Sequence, residues 1–149
     1  MSILVDTSVL VRLANTSDPQ AGVAARAIAE LRRRGEYLGI TSQVLVEFRS
    51  VATRPTAVNG LGFTNQVADR DVTRFEAQFP LLIETAGIYY AWKAIVNTLG
   101  VIGKTVHDAR LVAVCHVHSV THILTFNLSQ YRTLAGAPAG VTVLDPATV

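Results

Sequence analysis

Apolar residues recur along this chain in two patterns, and the alternation between them predicts the elements. Ile3-Leu4-Val5 is a continuous apolar run too short for a helix, and reads as a strand buried on both faces, as in a parallel sheet. A short helix follows over Val9 to Asn15, capped by Asp6 or by Ser8. Asp18 as cap and Pro19 at the first helical position open a second helix over 20–34. Val23, Ala27, Ile28 and Leu31 give it one apolar face, and Gly35 stops it. Tyr37-Leu38-Gly39-Ile40 is a second strand. Val44, Leu45, Phe48, Val51 and Ala52 then form the stripe of a third helix, capped by Thr41 or Ser42 and ending before Pro55.

Residues 56–63 read as a loop by composition. Thr64 caps a helix running toward Phe79, with Val67, Ala68, Val72, Phe75 and Phe79 inward and a face of mixed charge outward. Leu81-Leu82-Ile83 is a short extended piece. Ala86 to Leu99 forms a fifth helix on Ile88, Ala91, Trp92, Ile95 and Leu99. His107-Asp108 opens a sixth, where Asp108 is expected to cap the first turn of the buried side. Thr121 to Thr125 is strand-like, Phe126-Asn127 begins a turn, and Val141 to Leu144 is a last strand before the turn pair Asp145-Pro146. Short buried strands alternating with helices predict an α/β fold with a largely parallel sheet, and 149 residues suit a single domain over 1–149.

Composition narrows the class. Half of the residues are hydrophobic and 16% are charged, so the chain folds rather than remaining disordered. No apolar stretch approaches the roughly 20 residues that span a bilayer, and Asp6 interrupts the N-terminal run, so a cytoplasmic protein without membrane contact is expected. The single cysteine, Cys115, excludes an intrachain disulfide and a multi-cysteine zinc site, and reads as a core residue. A net charge of +2 and a pI near 9.0 favour anionic partners only weakly. The Arg32-Arg33-Arg34 cluster closes a helix, where cations suit the dipole, or else meets nucleic acid.

Asp6 stands at the carboxyl end of the first strand, where open α/β folds gather ligands, although capping alone also accounts for it. Glu47 lies along the edge of its helix stripe, an ordinary boundary position or a functional one. Ser50 and Arg54 share its flank, and Arg54 reads as a salt-bridge partner or a phosphate contact. His116 and His118 are about 200° apart on a helix and cannot chelate one ion. Gly100-Val101-Ile102-Gly103-Lys104-Thr105 resembles a phosphate-binding loop, but has too few residues between its glycines and follows a helix, so it reads as a helix end and loop. A phosphatase of the haloacid dehalogenase type with Asp6 as nucleophile fails because Ser8 stands where its second aspartate belongs.

Four segments in register carry a family resemblance: Leu4-Val5-Asp6-Thr7-Ser8, Val46-Glu47-Phe48, His107-Asp108-Ala109-Arg110-Leu111-Val112-Ala113 and Leu124-Thr125-Phe126-Asn127. Together they resemble the PIN-domain ribonucleases, and among them the VapC-type toxins of toxin–antitoxin pairs. The resemblance implies a three-layer α/β/α sandwich on a short, mostly parallel sheet, and a metal-dependent endoribonuclease acting on RNA. It also implies a cognate antitoxin, a homodimer, and Mg²⁺ or Mn²⁺ on Asp6, Glu47 and Asp108. Asp6 and Asp108 are then the ligands, and Glu47 is a ligand or a base acting through water. Thr7, Ser8, Thr125 and Asn127 position water or phosphate, while Arg110 meets phosphate or anchors its helix to an acid. Crowded carboxylates repel and hold protons unless a cation compensates, and Mg²⁺ takes such oxygen ligands. Many relatives carry a further aspartate in the segment matching 127–130, where this chain has Asn127 and Gln130. That departure suits a centre with one tightly held ion, and leaves as the alternative a module that binds RNA or a protein without cleaving.

Overall fold

The first strand, β1 (Ser2–Val5), lies in the middle of the sheet, and this placement organises the site. On one side β2 (Tyr37–Gly39) pairs parallel to it, Leu4 opposite Gly39. On the other, β3 (His122–Leu124) pairs parallel with Val5 opposite Leu124, and β4 (Thr142–Leu144) adds to β3 in the same sense. The computed structural model describes residues 1–136 and 140–149, and among them the strand order is β2-β1-β3-β4. Ile3, Leu4 and Val5 are wholly buried, as a strand covered on both faces requires. The extended piece expected at 81–83 reduces to one parallel bridge between Leu81 and Ile40.

The helices α1 (Thr7–Ala14), α2 (Ala21–Arg33), α3 (Ser42–Thr53) and α4 (Asn65–Gln78) pack in series, α1 on α2 and α3, then α3 on α4. The helices α5 (Ala86–Leu99), α6 (Thr105–Val117) and α7 (Leu128–Ala135) form a second series with α6 in its middle. With the sheet they make the three-layer α/β/α sandwich of the expectation. Phe48 of α3 meets Phe75 of α4 edge-on, ring centres 5.1 Å apart, and both rings are buried. Helix α6 is buried through Ala109 and all of Leu111 to Cys115, so it is the central helix of its layer.

Three helix starts differ from the sequence expectation. Helix α1 begins at Thr7 because Asp6, not Ser8, is its cap: Asp6 Oδ2 accepts from Ser8 N at 3.3 Å. Helix α2 begins at Ala21, and Asp18 instead closes the turn before it by accepting from Gln20 N at 2.7 Å. Helix α6 begins at Thr105, which places Asp108 within its first turn with a side chain that does not cap it. Elsewhere the signals held: Thr41 and Thr64 cap α3 and α4, and Gly100 ends α5 at a φ of 62°.

The loop after α3 folds back onto that helix. Gly62 N donates to Arg54 O at 2.9 Å and Phe63 N to Ala52 O at 2.8 Å. Gly60 lies so close that a Cβ there would fall 1.9 Å from Arg54 O, which only glycine avoids. The arginine cluster of α2 is occupied within the fold: Arg33 and Arg34 bind Glu30, and Arg32 stacks over Phe79. No helix among the described residues is long and apolar enough to cross a membrane.

Candidate active site

Parallel pairing brings the carboxyl ends of β1 and β3 side by side, and Asp6 N donates to Leu124 O at 3.0 Å. Asp6 is only 3% exposed. Its Oδ2 is saturated by Ser8 N at 3.3 Å, Ser8 Oγ at 2.6 Å and Thr125 Oγ1 at 2.7 Å. Thr125 in turn accepts from Asn127 N at 3.0 Å, and Ser8 Oγ accepts from Phe126 N at 3.1 Å. A carboxylate taken from water needs such donors, and here two hydroxyls and a helix start provide them.

The other oxygen of Asp6 faces α7. The wholly buried Tyr131 places its hydroxyl 3.1 Å from Asp6 Oδ1 and 3.4 Å from Asp108 Oδ1, so one phenol lies between the two acids. Gln130, its neighbour, donates its side-chain amide to Asp108 Oδ2. Burial first, then the charges of Asp6 and Glu47, push the Asp108 carboxyl up to about 6. The same burial and the charges of Asp6 and Asp108 push the Tyr131 phenol far above its ordinary range, so it remains a donor.

Glu47 stands on α3, half-buried, where Thr7 Oγ1 donates to Oε2 at 2.9 Å and Gln43 Nε2 to Oε1 at 2.8 Å. Between these acids opens a cleft of about 380 Å³ lined by Asp6, Thr7, Ser8, Glu47, Asp108 and Asn127, together with Arg12 and Arg54. Arg12 stacks over Phe126 at 4.5 Å and donates to Ser8 O at 3.0 Å and to Gln20 Oε1 at 2.6 Å. Arg54 is exposed at the rim.

The residues singled out from sequence therefore converge, with Thr125 buried directly beneath them on Asp6. Arg110 is the exception. It points away from the cleft, donating to Glu84 Oε2 at 2.6 Å and to Gln43 Oε1 at 3.1 Å, so it anchors α6 to an acid. Sequence reasoning passed over Tyr131, Arg12 and the contact of Gln130 with Asp108. A tyrosine at a buried position of a short helix after the fourth matched segment was the available signal for the first.

Among the described residues no three His, Cys, Asp or Glu side chains close to ion-holding spacing as they stand. The donor set nonetheless suits a hard divalent cation: every candidate ligand is a carboxylate oxygen, and Asp6, Glu47 and Asp108 line one cleft. Asp6 and Asp108 are already joined through one hydroxyl, whereas Glu47 is tied to its own wall by Thr7 and Gln43.

A family model described as PIN domain matches residues 3–134. Among solved structures, VapBC2 from Rickettsia felis bound to a DNA fragment from their promoter aligns with a TM-score of 0.73 at 13% identity, covering 97% of this chain and 98% of that one. VapBC-1 from nontypeable Haemophilus influenzae aligns with a TM-score of 0.69 at 16% identity, over 98% of each chain. VapC20 from Mycobacterium tuberculosis, a sarcin–ricin loop cleaving toxin, aligns with a TM-score of 0.67 at 21% identity, over 88% of this chain and 94% of that one. At these identities the likeness establishes a shared fold. No curated protein matches the chain in sequence.

Proposed function

The chain belongs to the PIN-domain family, and from that premise we propose that it is a metal-dependent endoribonuclease, the toxin of a toxin–antitoxin pair. The observation that carries the reading is the meeting of Asp6, Glu47 and Asp108 in one cleft at the carboxyl edge of β1 and β3. Asp6 and Asp108 would hold Mg²⁺ or Mn²⁺, which when bound supplies Lewis acidity for phosphodiester hydrolysis.

The remaining work falls to the chain's own groups. Glu47, outside the Asp6–Asp108 pair and facing the same cleft, takes the proton of the attacking water on its carboxylate. Thr7 and Gln43 each hold one oxygen of that carboxylate and so fix its orientation, and each oxygen keeps a second lone pair. Three acids alone would repel a polyanion. Arg54 at the rim and Arg12 on its Phe126 platform bind the phosphates on either side of the scissile bond, and Asn127 offers an uncharged amide between them. A cognate antitoxin as partner is supported by structural neighbours that include toxin–antitoxin complexes; the homodimer is carried by the family resemblance alone.

The test is cleavage of structured RNA by purified protein with Mg²⁺ or Mn²⁺. Wild type is expected to cut and Asp6→Asn to lose at least a hundredfold in rate; equal rates overturn the assignment. One contact favours a second reading, a module that binds RNA without cutting it: Gln130 offers Asp108 a neutral amide where an acid would add charge. RNA binding that is indifferent to chelator, in a protein without Mn²⁺ affinity, would favour that reading.

A further inference from the structure

The oxygen atoms of the two central acids divide into two kinds. Oδ2 of Asp6 is filled by three donors, and Oδ2 of Asp108 takes the Gln130 amide. Among the described residues, Oδ1 of each has a single neighbouring donor, and it is the same one, the hydroxyl of Tyr131. A carboxylate oxygen carries two lone pairs, so each Oδ1 keeps capacity for a further partner while the phenol holds it. One hydroxyl proton cannot serve both acids fully, and the shorter contact is to Asp6, at 3.1 Å against 3.4 Å. Asp108 is thus the less satisfied of the two.

The placement of that hydroxyl is rigid. Tyr131 is wholly buried, and its helix follows β3 through Thr125 and Asn127, whose backbone and side chain are tied to each other and to Asp6. Groups that hydrogen-bond a ligating carboxylate fix its direction, and their loss commonly costs 10–100-fold in metal affinity. Fixing a pair of acids in advance removes the reorganisation that an incoming ion would otherwise have to drive.

We infer that Tyr131 is a positioning residue for metal binding: its hydroxyl holds Oδ1 of Asp6 and Oδ1 of Asp108 toward one another and thereby sets the affinity of the cleft for a divalent ion. The inference rests on the metal-dependent reading above and deepens it. Tyr131 touches neither substrate nor ion in this scheme and acts only through the two acids.

The experiment is Mn²⁺ titration by calorimetry of wild type, Tyr131→Phe and Asp6→Asn, with melting temperatures measured in chelator. Tyr131→Phe keeps the ring and removes only the hydroxyl, and is expected to bind Mn²⁺ about 10-fold or more weakly. Gln130→Met, on a partly exposed side chain, removes the amide from Asp108 and is expected to weaken binding by a smaller factor. If Tyr131→Phe binds Mn²⁺ like wild type while Asp6→Asn does not bind, the positioning role is overturned and the metal site stands, even if melting in chelator has shifted. If wild type itself does not bind Mn²⁺, the metal-dependent reading falls and this inference falls with it.

Discussion

Thr125 Oγ1 donates to Asp6 Oδ2 at 2.7 Å, a bond between residues 119 positions apart that fastens the end of β3 to the end of β1. The carboxylate is at once the cap of α1 and a bracket between two strands. Thr125→Val keeps the shape and deletes the donor, leaving a buried carboxylate short of one partner. A stability loss of about 1–3 kcal/mol is expected by urea denaturation, with Thr125→Ser close to wild type. Equal midpoints for the Val and Ser variants would dismiss the bracket.

Stability of the ion-free protein should depend on pH through Asp108. Its carboxyl is raised from 3.8 to about 6 in the fold. Between those values the folded protein holds a proton that the unfolded chain has released, so stability rises as pH falls from 7 toward 4. Solvent screening at this partly exposed site limits the gain to about 1 kcal/mol. Urea midpoints in chelator at pH 7 and pH 5 measure it, and Asp108→Asn should remove that part of the slope. Saturating Mn²⁺ should oppose the trend, since the ion competes with the proton.

Glu47→Gln is nearly isosteric and can still meet Thr7 and Gln43. Its melting temperature should stay within about 2 °C of wild type, while single-turnover cleavage falls about 10²-fold or more, the usual weight of a general base. Cleavage at the wild-type rate would remove Glu47 from the chemistry.

Arg54→Ala should weaken RNA binding uniformly across sequences and lower the slope of log affinity against log salt by about one phosphate contact, roughly 0.7 for a single strand. Mn²⁺ affinity should not change, because Arg54 sits at the rim and not on the acids. Gly60→Ala should act in the same direction by pushing on the Arg54 backbone that Gly60 now approaches. An unchanged salt slope in both variants would count against a phosphate contact here.

Much of the fold was legible because the runs were unmixed. Ile3 to Val5 admits no reading but a buried strand, and α5 was bounded at both ends by the apolar spacing and Gly100. The acids were legible as a set because each sat within a matched segment. What could not be read were interactions whose partners are set by strand order. Nothing local shows that Asp6 rather than Ser8 caps α1, since either residue type does so; Thr125, brought in by β3, turns Ser8 into a donor to Asp6. Asp108 looked like a cap because its helix seemed to start at His107, whereas Thr105 and Val106 extend it. Tyr131 draws no reading from sequence: its ring is core, and only the position of its hydroxyl between two acids from distant segments gives it a second use. Arg12 was overlooked because a lone arginine on a short helix says nothing of Phe126, which arrives more than a hundred residues later.

The central position of β1 has a consequence for synthesis. Asp6 is made 119 residues before Thr125 and 125 residues before Tyr131, which hold it. A nascent chain therefore carries Asp6 and Glu47 long before it can assemble them with Asp108 and Tyr131. The cleft stays incomplete until the segment carrying Thr125 and Tyr131 has been made.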